Sequence, residues 1–253
     1  MPVTAGDILE LCNRIAPLQD AEEWDNVGLL AGSVHTPVDT VLCALDLTEA
    51  VVDEGVVRGA QMIVTHHPIL FRGRKNLRED DAEGRMLCKL VRKNLAMAAL
   101  HTNYDNAKPG VNDALAAALE LHDVVELDRA LRQGTTKLAT FGAFADFAEK
   151  ALGGPIRRFG NPEKTIRRVA VLGGAGGDYL SMAMEGGSDV FVTGEISYHK
   201  ALDAVDNGVC VLEAGHGATE HPGILALSAA LQKAADDVEY KVRVLNSEVP
   251  LYL

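Results

Sequence analysis

The chain has 253 residues, a hydrophobic content of 47% and a net charge of −12. This length suits one large domain or two ordinary ones, and the apolar fraction is typical of a globular protein. The acidic balance argues against broad binding to a nucleic acid backbone, which needs clustered Lys and Arg. The single basic cluster, Arg72 to Lys75, is short and indicates a solvated loop, or one that meets an anionic substrate.

The cysteines indicate the compartment. They stand at positions 12, 43, 88 and 210, and no two of them form a C-x-x-C pair. This spacing predicts neither a zinc ribbon nor a redox motif, and it favours free thiols in a reducing compartment. The N-terminus lacks the basic start and long apolar stretch of a signal peptide, and no apolar run approaches the length of a membrane span. We therefore expect a cytoplasmic protein.

The first half of the chain alternates between strands and helices. Thr4 and Asp7 resemble a capping box, and the apolar residues that follow recur at helical spacing, so a helix opens the chain. Residues 24–28 read as a turn. Strands are then predicted at 41–45, 62–65 and 96–100, each followed by a helix, at 49–57, 83–93 and 112–121.

The second half repeats the pattern less regularly. Strands are predicted at 137–144, 169–172, 190–193, 209–212 and 238–245, and helices at 147–152, 179–184, 198–205 and 222–234. Repeated strand–helix units imply right-handed crossovers and mainly parallel pairing, so we expect an α/β fold. The charge pattern changes near 122–135, which is the best candidate for a domain boundary.

Imidazoles and carboxylates follow three of the predicted strands. A buried strand that ends in two adjacent imidazoles is unusual, because polar groups there need partners. The two other strand ends each carry a His with a carboxylate four residues later. In open parallel sheets, ligands bind beyond the carboxyl ends of the strands, so these loops can converge. The residues concerned are His66, His67, His101 with Asp105, and His216 with Glu220.

This residue set predicts a site for two metal ions. Neighbouring residues on a regular strand point to opposite faces, so the strand must end at the His pair, and Pro68 restricts His67 to extended conformations. Paired catalytic metals lie about 3.5–4 Å apart, a separation that a carboxylate from Glu220 or Asp105 can bridge. Ligands without Cys suit divalent Zn, Mn, Fe or Co. Hydrolysis is the natural reaction class for such a pair.

Each cluster also has a simpler explanation. The His pair could be two satisfied core imidazoles, His101 with Asp105 a loop hydrogen bond, and His216 with Glu220 a helix-start cap. The metal interpretation is favoured because all three simple explanations would have to hold together, each at a strand end.

Two further strand-end segments remain open in interpretation. Residues 173–177 are almost all Gly and lie between a strand and a helix, so they form a tight turn or, as the minority alternative, a phosphate cradle. Glu195 lies in the phrase TGEISYH at 193–199 and is a candidate general acid or base, although a capped helix start is equally compatible.

Five phrases in this order resemble a widespread dinuclear-metal family, the GTP cyclohydrolase I type 2 homologues, also called YbgI-like or NIF-three-like proteins. The resemblance covers nearly the whole chain. It rests on WDNVGL at 24–29, THHP at 65–68, HTNYD at 101–105, TGEISYH at 193–199 and GHGATE at 215–220.

The resemblance implies two related α/β units with mainly parallel or mixed sheets and a metal site at strand ends between them. The first unit would comprise 1–127 with 221–253, because the last helix and strand return to it, and the second 128–220. It also implies a toroidal homohexamer, with Glu220 as a bridging ligand and His101 as a near-site residue. Gly217 stands where the family often has a Tyr. The metal ligands implied by motif are His66, His67, Asp105, His216 and Glu220.

Two functional hypotheses follow. The first is a metal-dependent hydrolase that acts on a nucleotide or related small heterocycle, with His101 and Glu195 as catalytic groups. The second is a metal-binding or regulatory scaffold without catalysis. Nucleic acid and membrane partners are not expected.

Overall fold

The computed structural model describes residues 2–251. The strands are β1 (Gly28–Ala31), β2 (Thr40–Ala44), β3 (Met62–Thr65), β4 (Ala96–Ala99), β5 (His122–Glu126), β6 (Arg132–Thr135), β7 (Arg157–Phe159), β8 (Arg168–Leu172), β9 (Val190–Thr193), β10 (Cys210–Glu213) and β11 (Arg243–Asn246). The helices are α1 (Ala5–Ile15), α2 (Glu49–Val57), α3 (Ala82–Arg92), α4 (Thr102–Asp105), α5 (Val111–Ala118), α6 (Phe141–Leu152), α7 (Leu180–Glu185), α8 (Tyr198–Asp206) and α9 (His216–Asp237). None of these helices is long and apolar enough to cross a membrane.

The structure confirms the α/β class. The predicted capping box at the start of α1 is formed, with Asp7 N donating to Thr4 Oγ1 and Thr4 N donating to the Asp7 carboxylate. β3, β9 and α2 have the bounds that the sequence predicts. Continuous apolar runs become buried strands because both faces of each sheet are covered.

The chain divides into two compact units. The first comprises the residues up to Lys108 together with Ile224–Pro250, and the second is Pro109–Gly223. The first boundary precedes α5, which packs against β6 and β8 of the second unit. The charge pattern along the sequence changes only after α5, near 122–135, so a boundary predicted from charge lies later in the chain.

A five-stranded sheet forms the first unit, in the order β1-β4-β3-β2-β11. β2, β3, β4 and β11 pair in parallel, and β1 adds an antiparallel edge. One core face gathers Leu42, Ile63 and Met97 with the inner sides of α2 and α3. The carboxyl ends of β2, β3 and β4 therefore lie side by side.

A six-stranded mixed sheet forms the second unit, in the order β5-β6-β8-β9-β10-β7. β8, β9 and β10 are parallel, and the three other strands are antiparallel to their neighbours. Alternate residues of a strand face opposite cores: Val169 and Val171 of β8 pack with α6, whereas Ala170 and Leu172 pack with α7 and α8.

Two predicted elements are wrong. The strand expected at 137–144 is absent, because Thr140 caps α6 by accepting from Ala143 N, and Phe141, Phe144 and Ala148 then recur at helical spacing in the core. The strand in this region is β6 instead. The last helix begins at His216 and contains Pro222 in its interior. The sequence predicts a start near Pro222 instead, since Pro is favoured in the first turn of a helix.

Glu54 of α2 accepts hydrogen bonds from the residues that follow β11 in the first unit. Its carboxylate accepts from Ser247 Oγ (2.5 Å), Glu248 N (2.9 Å) and Arg58 Nη1 (2.7 Å). Burial raises the pKa of Glu54, but the hydrogen bonds from Ser247, Glu248 and Arg58 outweigh it and hold the pKa below its usual value.

This carboxylate predicts an acid dependence of stability. Because its pKa is lower in the folded state, its contribution is complete above the unfolded value of about 4.3 and is lost as the pH falls through the folded pKa. Below about pH 5, we expect the unfolding free energy of Glu54→Gln to decrease less steeply with falling pH than that of the wild type. Urea denaturation at a series of pH values measures this slope. Glu10→Gln, which alters an exposed pair with Arg14, is the control and should keep the wild-type slope.

Candidate metal centre

Three imidazoles cluster at the carboxyl ends of β3 and β4 in the first unit. The ring centroids of His66 and His67 lie 5.0 Å apart, those of His66 and His101 5.1 Å, and those of His67 and His101 5.6 Å. Each ring offers a nitrogen within 4.8 Å of the others. The strand ends where the sequence predicts, and Thr65 Oγ1 donates to His67 O (2.7 Å).

A different acceptor holds the Nδ1 atom of each ring. His66 Nδ1 donates to the carbonyl of Leu100 (2.8 Å), and His67 Nδ1 donates to the carboxylate of Asp46 (2.7 Å). His101 Nδ1 donates to Asp25, at 2.9 and 3.0 Å from its two oxygens. An Nδ1 atom that carries the proton leaves the lone pair on Nε2. The three rings are thus held in the tautomer and orientation that metal-binding histidines adopt.

Helix α4 adds a carboxylate to this cluster. Thr102 N (3.0 Å) and Thr102 Oγ1 donate to Asp25, which fixes the start of the helix. One turn brings Asp105 back over the strand end, with Asp105 N donating to His101 O (3.0 Å). The Asp105 Oδ1 atom then lies 3.7 Å from His66 Nε2. Three imidazoles and one carboxylate therefore share this edge of the sheet.

Burial and hydrogen bonds together set the charge states of His101 and Asp25. Burial lowers the pKa of His101, and the neighbouring His66 lowers it further, although Asp25 opposes both effects. Burial raises the pKa of Asp25, but hydrogen bonds from Thr102 and His101 outweigh it and bring the pKa below its usual value. A neutral imidazole next to an ionised carboxylate results, and neutral imidazole is the form that binds metal.

The second unit contains a smaller group of the same chemical type. His216 Nε2 and Glu220 Oε1 lie 3.2 Å apart on the first turns of α9. His216 Nδ1 donates to Glu195 Oε1 (2.8 Å), so this imidazole is held by a carboxylate as well. The start of α8 is capped by Ser197 and not by Glu195. Glu220 is 5% exposed, which makes it a buried carboxylate against an oriented imidazole.

The glycine-rich loop after β8 forms a tight turn beside Glu220. Its amides donate within the unit: Gly173 N to Asn112 Oδ1 (2.7 Å), Gly174 N to Thr219 Oγ1 (3.0 Å) and Gly176 N to Thr193 Oγ1 (3.0 Å). Three of the amides that a phosphate cradle would use are therefore occupied, which favours the tight-turn interpretation.

Gly174 is required at its position for two reasons. Its φ is +65°, and a Cβ there would overlap Glu220 Oε1 and lie 3.2 Å from His216 Nε2. We expect Gly174→Ala to cost about 1 kcal/mol from the left-handed backbone and also to displace the Glu220 carboxylate. Gly153→Ala is the matched control, since Gly153 has φ +73° but open space around its Cβ position. Urea denaturation should show a loss for both variants that is larger for Gly174→Ala, whereas metal titration should change only for Gly174→Ala.

The structure thus groups the sequence-predicted residues in two sets. His66, His67, His101 and Asp105 lie together in the first unit, and Glu195, His216 and Glu220 lie together in the second. Asp25 and Asp46, which hold His101 and His67, are not among the residues predicted from the sequence. A signal for Asp46 existed, because it follows β2, the neighbour of β3, at the same sheet edge.

Comparison with known proteins identifies the family. The model of the family Duf34/NIF3 (NGG1p interacting factor 3) matches residues 3–250. The chain belongs to this family. It is 35% identical to the GTP cyclohydrolase 1 type 2 homolog of Streptomyces coelicolor over 94% of this chain and 89% of that one. It is 31% identical to the homolog of the same name from Clostridium acetobutylicum, over 95% of each.

A solved structure has the same fold. The Bacillus cereus protein related to NIF3 aligns with a TM-score of 0.93 at 25% identity, over 98% of this chain and 97% of that one. The resemblance inferred from the five sequence phrases is confirmed.

Proposed function

We propose that this Duf34/NIF3 protein is a metal-dependent hydrolase with a dinuclear centre that acts on a nucleotide or related small heterocycle. The proposal is carried by four imidazoles whose Nδ1 atoms all donate hydrogen bonds to oxygen atoms. Each ring therefore keeps the lone pair on Nε2, which is the atom that would bind a metal ion. A purely structural cluster has no need for this shared orientation. The names of the Streptomyces and Clostridium relatives support the substrate class.

The donor set fits divalent ions of borderline hardness. Imidazole suits Zn, Fe and Co, carboxylate suits Mn, and no thiolate is present among the proposed ligands. The residues that would hold these ions are His66, His67, Asp105, His216 and Glu220. Two such ions would polarise the substrate and lower the pKa of a bound water.

The residues that are not proposed as metal ligands have two other roles, which are to orient the ligand rings and to accept a proton. Asp46 and Glu195 hold His67 and His216 in place, so Glu195 is proposed as a positioning residue. His101, held by the buried Asp25, presents Nε2 beside the ligand imidazoles and is proposed to accept a proton from the attacking water. In the reaction, the water oxygen bonds to a carbon or phosphorus atom, the bond to the leaving nitrogen or oxygen breaks, and the proton is delivered to the leaving atom.

Metal analysis with a substrate panel tests the proposal. Protein purified without chelator should contain about two divalent ions per chain. The metal-loaded protein should hydrolyse at least one member of a panel of purine nucleotides and phosphoesters, and chelator treatment should abolish the turnover. Verified metal occupancy with no turnover across the panel would overturn the hydrolase and leave a metal-binding scaffold.

Assembly and location are further parts of the proposal. The family resemblance supports a toroidal homohexamer, which light scattering on the purified protein tests directly. The cysteines at 12, 43, 88 and 210 are all free thiols, which supports a reducing, cytoplasmic location.

A further inference from the structure

Two exposed aromatic rings flank the imidazole cluster of the first unit. Trp24 is 61% exposed and Phe71 is 47% exposed. Their ring centroids lie 5.8 Å apart in an edge-to-face arrangement. Each ring also lies close to His101, with centroid distances of 6.3 Å for Trp24 and 6.4 Å for Phe71. Large aromatic side chains are usually well buried, so a pair exposed at this place needs a reason.

The backbone on both sides of the pair is fixed. The side chain of Asp25, next to Trp24, is inaccessible to solvent and bound to His101 and Thr102. Asn26 Nδ2 donates to Leu70 O (2.6 Å), which ties the loop of Trp24 to the loop of Phe71. The chain thus holds two large apolar rings in solvent beside His101, at the rim of the proposed metal centre.

The charge next to Phe71 is positive. In the basic cluster that follows it, Arg74 is occupied by ion pairs with Asp81 and Glu83. Arg72 and Lys75 have exposed side chains. These two cations follow Phe71 closely in sequence, so they favour an anionic group on a ligand that binds at the rings, in a chain whose net charge is −12.

We propose that Trp24 and Phe71 form an angled aromatic platform, on which the planar heteroaromatic ring of the substrate stacks against one ring and contacts the other, beside His101. The proposal deepens the proposed function and rests on it for the reaction that follows binding. Stacking on aromatic side chains accepts any ring with a π-face, and the exposed Arg72 and Lys75 favour rings that carry a phosphate. These two aromatic residues then determine specificity for ring-bearing over ring-less phosphates.

The single tryptophan makes the test direct. Trp24 is the only Trp in the chain, so its fluorescence, excited where Tyr does not absorb, reports on the platform alone. Guanosine 5′-monophosphate is titrated into metal-loaded and into chelator-treated protein, with guanosine and ribose 5-phosphate as comparison ligands. We expect quenching by both ring-bearing ligands, tighter binding for the phosphorylated one, and no quenching by ribose 5-phosphate.

Variants separate stacking from other effects, with affinities taken from calorimetry. Trp24→Leu and Phe71→Leu should each weaken binding of the nucleotide roughly tenfold or more, whereas Trp24→Phe should retain most of it. Leu77→Ala, an exposed apolar residue of the same loop region, is the control and should bind as the wild type. Thermal melting of each variant checks that the fold is kept.

The outcomes distinguish this inference from the hydrolase proposal. Ring-dependent binding without turnover would uphold the platform and overturn the hydrolase. Turnover with an unchanged KM in Trp24→Leu would overturn the platform and uphold the hydrolase. Absence of quenching and of heat at millimolar nucleotide, or a change of oligomeric state in Trp24→Leu at unchanged nucleotide affinity, would also overturn the platform.

Discussion

Substitution of His67 by Gln is expected to weaken binding of divalent ions by more than about 100-fold. Removing an outer hydrogen-bond partner of a ligand already costs about 10–100-fold in metal affinity, and losing the ligand itself costs more. The His67 side chain is 24% exposed, so the metal-free variant should keep an unfolding free energy within about 0.5 kcal/mol of the wild type. The effect should therefore lie in metal binding and not in folding.

Substitution of Asp46, which holds the His67 ring, should have a smaller effect on the same metal affinity. Asp46→Asn keeps an oxygen acceptor for His67 Nδ1 but removes the charge that strengthens Nε2 as a donor, so we expect a loss of about 10–100-fold. Asp53→Asn is the matched control, because Asp53 is an exposed partner of Lys89 in the same unit. Competition with a chromogenic chelator measures all three affinities. Equal affinity in the wild type and His67→Gln would remove His67 from the ligand set.

The strand ends could be predicted because their signals are local. β3 is a run of apolar residues that stops at two imidazoles, and the bounds found are those predicted. The pairing of His216 with Glu220 follows from a spacing of four residues, which one helical turn brings together. The same spacing returns Asp105 to the strand end that carries His101, where its carboxylate lies against His66. Such signals need no knowledge of the tertiary fold.

The groups that hold the imidazoles could not be derived in the same way. Asp25 reaches His101 across 76 residues of sequence, and Asp46 reaches His67 across 21. Asp25 lies in a segment that reads as a turn, where Asp and Asn are common for reasons unrelated to metal. Its role depends on where β4 and α4 lie, which is a tertiary property.

The error at residues 137–144 has a similar origin. Lys137 to Phe144 contains residues compatible with both a strand and a helix, and the period alone does not separate them over so short a run. In the structure, Thr140 caps α6, and the side chains of Phe141 and Phe144 pack in the core beneath this helix. The polar strand β6 was missed because a largely polar run such as RQGT carries no apolar alternation.

The second large effect is expected at a buried charge in the second unit. Arg132 of β6 is only 3% exposed, and its Nε and Nη2 atoms donate to the two oxygens of Asp113, at 2.9 and 3.0 Å. The same carboxylate accepts from Gly110 N (2.9 Å) at the start of α5. Asp113→Ala would therefore leave a guanidinium without its principal counterion and α5 without its cap. We expect a loss of about 3 kcal/mol in unfolding free energy, measured by urea denaturation.

A double-mutant cycle separates the buried charge from the lost contacts. Arg132→Met removes the charge that Asp113→Ala leaves without a partner, so the double variant should be more stable than Asp113→Ala alone. Its loss of unfolding free energy should also be smaller than the sum of the losses of the two single variants. Asp237→Ala, at the exposed pair with Lys233, is the control and should change stability by less than about 0.5 kcal/mol. Additive losses in the cycle would contradict a coupled pair. Because Asn112, next to Asp113, accepts from Gly173 N, hydrogen exchange in Asp113→Ala should also rise in the glycine-rich loop beside Glu220.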